Sequence, residues 1–500
     1  RPGLTRDAFT ALWAARRGLS EAELLEILAE PGQEHLPQAV WAPLHLAAEQ
    51  GLVSRGGLLG FAHPDLRRAV EDRYLPDAAS RQGAHARLAA YFAAQPLSGR
   101  VTDELGWQQA DAGDHAGLRA TLADPDHVEL AYTRDAADVR RLWARLAGTG
   151  VELGPAMVDA YRPVVDDPEA HDLTTPGAPP RQLVWGVARL LSDACAPGAA
   201  LPLHRYLVGA ARRHPAGSDE APTGDARLRA ALVNLGAAEL SQGDLANAET
   251  TLAEAVERCR AAGDERMLAG ALGNLAMARR DLGRRDEAGE LFEEEERLCR
   301  RLDDEFGLQA SLGNHAQLLR ELGRHDEAMG LLREQEAVCR DLADPAGIAR
   351  ALAGQATVLA DRGDVAAATA LTEQHAEIAR SEGDLRGLAE ALLNLAVHRL
   401  QLGDASGSLA ASAEAEQIAR ALADPALLAR VLVAQASQIG GLGRWADAER
   451  LAREAELTAR QAGLARMVAG ALNVVGTARR EQGDLLQRDP RGQRHRGSSR

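Results

Sequence analysis

Leucine recurs every 40 residues at Leu232, Leu272, Leu312, Leu352, Leu392, Leu432 and Leu472, and four positions after each stands a small residue: Gly236, Ala276, Ala316, Ala356, Ala396, Ala436 and Gly476. A glycine keeps the same step at Gly243, Gly283, Gly323, Gly363, Gly403, Gly443 and Gly483. One supersecondary unit copied at a fixed period is the signature of a solenoid, whose units bury their apolar faces only against their neighbours. Each copy predicts two helices. The first opens after an acidic cap at Asp264, Asp304, Asp344, Asp384 or Asp424; Pro345 and Pro425 follow two of these caps, at the first helical position where a missing N–H is harmless. It ends at the glycine, where a left-handed C-cap is least strained. The second helix starts just beyond, carries a small residue at Ala248, Ala288, Ala328, Ala368, Ser408 or Ala448, and finishes near Arg260, Arg300, Arg340, Arg380, Arg420 or Arg460. Those arginines complement the negative end of the helix dipole.

The first 75 residues follow another pattern. Helical periodicity runs from Thr5 to Arg17, Ser20 and Glu23 form a capping box that opens a second helix, and a third covers Pro37 to Gln50 with Trp41 and Leu44 inward. Leu52 to Ser54, the Gly56-Gly57 turn and Leu58 to Phe61 predict a short hairpin, before a helix from Pro64 to Tyr74. Three helices followed by a two-stranded wing predict a winged helix. Residues 181–213 read as an irregular helix pair around Trp185 and Tyr206, and breaker-rich stretches flank it at Asp166 to Arg181 and His214 to Asp225. The expected organisation is all-α: a winged-helix domain over 1–76, a helical connector over 77–220, a right-handed α-solenoid of 40-residue helix pairs over 221–484, and a flexible basic tail or truncated repeat over 485–500.

Composition narrows the chemistry. The 500 residues carry a formal charge of −16, so a general nucleic-acid or anionic-membrane binder, which needs a cationic face, is not expected. The third helix carries no arginine, which argues against a DNA-reading winged helix. All 57 basic residues are arginine, and with so much alanine and glycine this suggests a GC-rich, bacterial genome. Without lysine there is no Walker A motif, Schiff-base nucleophile or lysine general base. No signal peptide and no apolar run of membrane-spanning length is found, so a cytoplasmic location is the default expectation. Cys259, Cys299 and Cys339 occupy one repeat column that later holds Ala379, Ala419 and Ala459, as a small buried residue does.

The spacing from Leu272 through Ala276 and Gly283 to Ala288 and Phe292 resembles the tetratricopeptide repeat, in a long variety whose usual aromatics are replaced by Leu or Arg, with Glu295 where alanine is normal. Upstream, ALWAARRGLSEAELLEIL, WAPLHLAAEQGLVSRGGLLGFAHPDLRRAVEDRYL and DELGWQQADAGDHAGLRATLADP resemble the region after the NACHT ATPase module in nephrocystin-type proteins, STAND NTPases with C-terminal tetratricopeptide repeats. The resemblance covers about 1–165 and continues into the repeats. It implies an ATPase module upstream that holds ADP or ATP, no cofactor in this chain itself, and oligomerisation of the activated full-length protein. The opening Arg1-Pro2-Gly3, without methionine, fits an expected cut within a longer chain.

The resemblance also implies roles for residues. Phe61 and His63 match a Phe-x-His pattern whose histidine contacts the phosphate of bound ADP; the competing reading is a capping or core histidine. Asn234, Asn274, Asn314 and Asn394 form a ladder at the position where peptide-binding tetratricopeptide proteins hold a ligand backbone; the competing reading is inter-helix hydrogen bonding. Arg280, Arg320 and Arg480 project from first helices and suit carboxylates. The run Glu293 to Glu296 is expected to be a solvated helix face, and Gly148, Gly150 and Gly154 a loop and not a phosphate cradle. The expected function is therefore the non-enzymatic sensor and regulatory part of a STAND-type ATPase, binding a protein or peptide cue. The alternative is a stand-alone tetratricopeptide adaptor.

Overall fold

Acidic caps, apolar faces and turning glycines produce one helix after another in the computed structural model, which describes residues 2–147, 153–172, 182–194, 196–213, 222–422, 424–461 and 464–488. The chain forms two compact units, Arg1–Gly243 and Asp244–Arg500.

The first unit begins with α1 (Leu4–Ala14), α2 (Glu21–Ile27) and α3 (Gln38–Ala48), then an antiparallel hairpin of β1 (Leu52–Arg55) and β2 (Leu58–Phe61), then α4 (Pro64–Tyr74). The Ser20–Glu23 capping box opens α2, with both of its reciprocal hydrogen bonds made. Positive φ angles at Gly56 and Gly57 close the hairpin in a two-residue turn. Trp41 is fully buried, and its indole N–H donates to Glu21 at 2.8 Å, which ties α3 to α2. Gly18 must be glycine: its φ is +90°, and a Cβ there would lie 2.4 Å from the Leu59 carbonyl oxygen.

The apolar core of this segment does not stop at residue 76. Leu88 and Phe92 of α5 (Ala78–Ala93) and Val101 and Leu105 of α6 (Gly99–Ala112) join Leu19, Leu24 and Trp41 in one cluster. A buried polar node reinforces it. Glu104, with no exposed surface, accepts from the backbone N–H of Arg16 (3.1 Å) and Arg17 (3.0 Å), from Gln108 (2.8 Å) and from Arg100 (2.9 Å). Four donors to one carboxylate satisfy it in a setting where an unpaired charge would be strongly destabilising.

The unit continues through α7 (His115–Ala123), α8 (Pro125–Ala147, kinked at Asp135), α9 (Leu153–Ala160), α10 (Arg162–Asp166), α11 (Pro168–His171), α12 (Leu183–Asp193), α13 (Pro197–Arg213) and α14 (Pro222–Ser241). A second cluster gathers around Trp143, Tyr161 and Leu203, with the Trp143 indole donating to the Tyr161 hydroxyl at 3.0 Å. Gly154 lies inside α9, not in a loop; Gly148 and Gly150 lie outside the described residues. Helices α12 and α13 form the expected pair around Trp185 and Tyr206.

The second unit is an α-solenoid: α15 (Leu245–Ala262), α16 (Glu265–Asp281), α17 (Arg285–Arg301), α18 (Glu305–Glu321), α19 (His325–Asp341), α20 (Pro345–Asp361), α21 (Val365–Glu382), α22 (Leu385–Gln401), α23 (Ala405–Ala421), α24 (Pro425–Gly441), α25 (Trp445–Gln461) and α26 (Ala465–Arg488). Asp264, Asp304, Asp384 and Asp424 each accept a backbone N–H at the start of a first helix, whereas the Asp344 side chain does not. Gly283, Gly323, Gly363, Gly403 and Gly443 all turn the chain with positive φ. Gly483 does not, because α26 runs straight through it to Arg488; the expected turn at the end of the array is absent, and so is a boundary at 484.

Ala276, Ala288, Ala328, Ala368, Ala396 and Ala436 are all essentially inaccessible, so neighbouring backbones meet where the side chain is smallest. Cys259, Cys299 and Cys339 share that burial, and burial pushes the Cys299 thiol up to about 11, a mark of an inert packing residue. The leucine column is buried from Leu272 to Leu432 but 43% exposed at Leu472 in α26. The arginine column builds ion pairs from one repeat to the next: Arg260–Glu294 (2.5 Å), Arg300–Glu334 (2.8 Å), Arg380–Glu414 (3.2 Å) and Arg420–Glu454 (2.6 Å). Arg340 breaks the series: Gln374 stands at the matching position, and Arg340 turns to Glu336 on its own helix.

Replacing Ala288 with Phe should overpack the α16–α17 contact and destabilise the array by roughly 1 to 3 kcal/mol. Chemical denaturation followed by circular dichroism measures this, and an unchanged midpoint would place the close contact elsewhere.

Candidate functional site

First helices α16, α18, α20, α22 and α24 follow one another at a 40-residue step, and Asn274, Asn314 and Asn394 form a column at equivalent positions of three of them. Asn274 and Asn314 are half-buried and Asn394 is exposed. Among the described residues none of the three side chains makes a hydrogen bond, so the inter-helix bonding reading finds no partner there. Asn234 is different. It belongs to α14 in the first unit, and its amide oxygen accepts from Arg189 at 3.4 Å.

The column is interrupted at α20, where Gly354 replaces asparagine. There a cavity of about 310 Å³ opens between α18 and α20, with α19 as its floor. Gly313, Asn314, Gln317 and Arg320 form one wall, Arg350, Gly354 and Thr357 the other, and Leu332 and Gln335 the base. Arg320 donates to Asp361 at 2.9 Å, and Arg350 reaches Asp344 at 3.5 Å. Of the predicted groove residues, Asn314 and Arg320 are thus brought together around one cavity. Arg280 instead lies along its own helix and donates to the neighbouring Asp281 at 2.9 Å; Arg480 of α26 is exposed and reaches Thr477 at 3.5 Å.

His63 stands at the N-cap position of α4 with an extended backbone, exposed, and its side chain makes no cap hydrogen bond. It is neither a core histidine nor a working cap.

The glutamate run departs most from expectation. Glu293 is exposed, but Glu295 and Glu296 are only 8% and 6% exposed. The Ser311 hydroxyl donates to Glu295 at 2.7 Å, and His315 Nδ1 lies 2.8 Å from Glu296, its ring stacked on Phe292. Gly273 makes this possible, since a Cβ there would lie 2.3 Å from the Glu295 carboxylate. Burial pushes the Glu295 carboxyl up to about 7, against the hydrogen bond from Ser311, and the charge of Glu296 adds to the rise. Sequence periodicity alone put the run on a helix surface; the face it shares with α16 and α18 is set by how the repeats stack.

The same column explains a second miss. Down successive second helices it reads Ala255, Glu295, Gln335, His375, Ala415 and Ala455, so polar residues occupy an interior position in the middle repeats. Burial holds the His375 imidazole below its usual range. Glu336 accepts from Gln355 at 2.6 Å and Glu416 from Gln435 at 3.0 Å, which repeats the Glu296–His315 pairing one and three copies on. Polar residues in an otherwise alanine column are the signal that could have found Gln335 from sequence.

A second cavity of about 290 Å³ lies at the α17–α18 turn, lined by Arg266, Leu302, Asp303, Asp304, Glu305, Phe306 and Leu342, with Phe306 65% exposed. Among the described residues no group of His, Cys, Asp and Glu is placed to hold a metal ion, and no helix is long and apolar enough to cross a membrane.

Comparison with known proteins fits this architecture. Residues 267–341 match the tetratricopeptide repeat family, and residues 202–273 and 360–437 match the family described as anaphase-promoting complex subunit 5. A TPR repeat-containing protein of Dictyostelium discoideum is 26% identical over 132 residues, 26% of this chain; the chain spans only 8% of that relative's length. Among solved structures, the STAND protein with a tetratricopeptide repeat sensor from Pyrococcus horikoshii is similar at 13% identity and a TM-score of 0.46, over 94% of this chain and 65% of that one. The apo quorum sensor NprR from B. thuringiensis is similar at 14% identity and a TM-score of 0.48, over 79% of this chain and 99% of that one. BtubC from P. vanneervenii is 22% identical with a TM-score of 0.41, over 46% of this chain and 93% of that one. The chain is a helical-repeat protein that carries tetratricopeptide repeats.

Glu295 gives this interior a pH signature. Its folded pKa of about 7 lies above the ordinary value of 4.5, so its contribution to stability is fully present below pH 4.5 and is lost as pH rises through about 7. Glu295→Gln should therefore be more stable than the wild type at pH 8, by about 3 kcal/mol at most, and nearly equal to it at pH 5. Denaturant titrations of both proteins at the two pH values measure the difference; a pH-independent gap would mean that the carboxylate stays hydrated.

Proposed function

We propose that the chain is the sensor and regulatory part of a STAND-type signalling ATPase, in which the repeat array binds a protein or peptide cue and the N-terminal module responds to nucleotide state. The observation that carries the binding half is the row of amides at Asn274, Asn314 and Asn394, free of hydrogen bonds to the described residues, with Asn314 on the wall of an open cavity. An amide supplies both a donor and an acceptor, so it can pair with an extended backbone whatever its side chains. Burying such groups without partners is unfavourable; leaving them half-exposed in a column is what a ligand-facing surface requires.

The nucleotide half is supported by the N-terminal module. Its order of three helices, a glycine-turned hairpin and a further helix suits a winged helix, and the exposed His63 at the head of α4 leaves an imidazole available to a phosphate. The nucleotide itself would be held by an ATPase module outside this chain. When bound, it supplies the phosphate charge that His63 reads, while the Glu104 node and the core shared with α5 and α6 keep α1 and α2 in fixed register.

Two outcomes test the two halves separately. In the full-length protein, His63→Ala should weaken ADP binding by isothermal titration, and equal affinity in both proteins would remove the sensing role. In the present chain, joint replacement of Asn274 and Asn314 by alanine should weaken a display-selected peptide about ten-fold or more, at roughly 0.5 to 1.5 kcal/mol per lost hydrogen bond, with an unchanged melt. Intact affinity with a collapsed melt would assign those amides to the fold.

A further inference from the structure

We propose that two copies of this chain pair through α3, whose outer face packs antiparallel against the same face of a second copy with the two-fold axis at Pro43. The pairing belongs to the N-terminal unit and is independent of what the repeat array binds.

The face is apolar and open. Trp41, Leu44 and Ala48 hold α3 to the core of the first unit from one side. At about 100° per residue the opposite side carries Ala39, Val40, Pro43, Leu46 and Ala47. All five are exposed, and Leu46, at 73%, is the most exposed large apolar side chain among the described residues. None carries a charge, in a chain whose net charge of −16 makes most of its surface repel a second copy. A continuous apolar face on a surface helix marks a protein contact.

The order of the side chains selects the occupant. A two-fold axis at Pro43 brings together positions that stand nearly equally far from it on opposite sides, since an isologous contact is self-complementary. Leu46 then lies over Ala39 of the second copy, and Val40 over its Ala47. Each large side chain meets a small one, which lets the ridges of one helix enter the grooves of the other. The helix ends agree. Pro37, at the N-cap of α3, makes no side-chain hydrogen bond to the first turn, and the antiparallel order brings Glu49, the C-cap residue of the second copy, beside it. A carboxylate is favoured at the positive end of a helix dipole. Pro43 sits inside the helix, where its ring forfeits a backbone hydrogen bond but offers a flat apolar surface on the axis itself. One helix from each copy makes a small interface, so the pairing is reversible and follows concentration.

The test uses the full chain. Sedimentation velocity over a wide concentration range should show an equilibrium of monomer and dimer. Leu46→Asp and Ala39→Arg should each weaken it roughly ten-fold or more, the loss that follows when a buried leucine contact is removed. An equal mixture of the two variants should pair again, because the new carboxylate then meets the new guanidinium across the contact while the other Leu46 keeps its alanine. Pro43→Cys should cross-link to its own copy under mild oxidation, since packed helix axes leave the two Cα atoms roughly 4 to 5 Å apart, within reach of a disulfide. Asp72→Cys, on the exposed side of α4, should not. The substituted positions are all exposed, so the fold is retained, and circular dichroism melts of each variant check this. A chain that stays monomeric at every concentration would overturn the pairing, as would cysteine at 43 cross-linking no faster than at 72. A dimer indifferent to Leu46→Asp would overturn the assignment to α3. None of these results bears on peptide binding by the repeats.

Discussion

Close approach of helix backbones at columns of alanine is the constraint on which the array depends. Ala276 of α16 and Ala288 of α17 are both inaccessible, the equivalent Ala316 and Ala328 share one apolar cluster, and with this packing repeated down the solenoid each helix finds its neighbour at a fixed distance and register. Everything else is arranged around that spacing. The leucines fill the space beside the close contact, cysteine or alanine fits the tight end of the second helix, and the glycines turn the chain without a Cβ in the way. Ion pairs such as Arg300–Glu334 connect one layer to the next at half-exposed positions, where each adds little energy but disfavours a slipped register.

Against this regular background the middle repeats carry an unusual interior. Glu295, Gln335 and His375 replace alanine at one packing position, and the first helices answer with Ser311, His315 and glycines at 273, 313 and 354. Where the polar residue finds a partner, as Glu295 finds Ser311, the substitution is absorbed into the fold. Where it does not, as at Gln335, the side chain lies at the base of a cavity shared with Asn314. One column thus holds alanine at the ends of the array and polar residues in its middle.

The first unit is held differently. Its N-terminal helices are tied to α5 and α6 by a continuous apolar cluster, and to α6 and α8 by charged groups, Glu104 on two backbone amides and Arg16 bridging to Asp138 at 2.6 Å. Such a node transmits displacement of one element to the others, because none of its members can move without leaving a buried charge unpaired.

The sequence by itself determined the period, the helix ends, the hairpin and the capping box, because each is written in local chemistry: a capping carboxylate, a proline at the first turn, a glycine where φ must be positive. It also placed Asn314 and Arg320 on one first helix, where both line a cavity. Only the tertiary structure decided that Glu295 and Glu296 are buried, that Gly483 does not turn the chain, that the first core extends through Leu105, and that Gln335 joins Asn314 at a cavity. The reason is physical. Helical periodicity fixes which residues share a face, but whether that face meets water, a neighbouring helix or an open pocket depends on the size of side chains on the adjoining helix, such as Gly273 opposite Glu295 and Gly354 opposite Leu332.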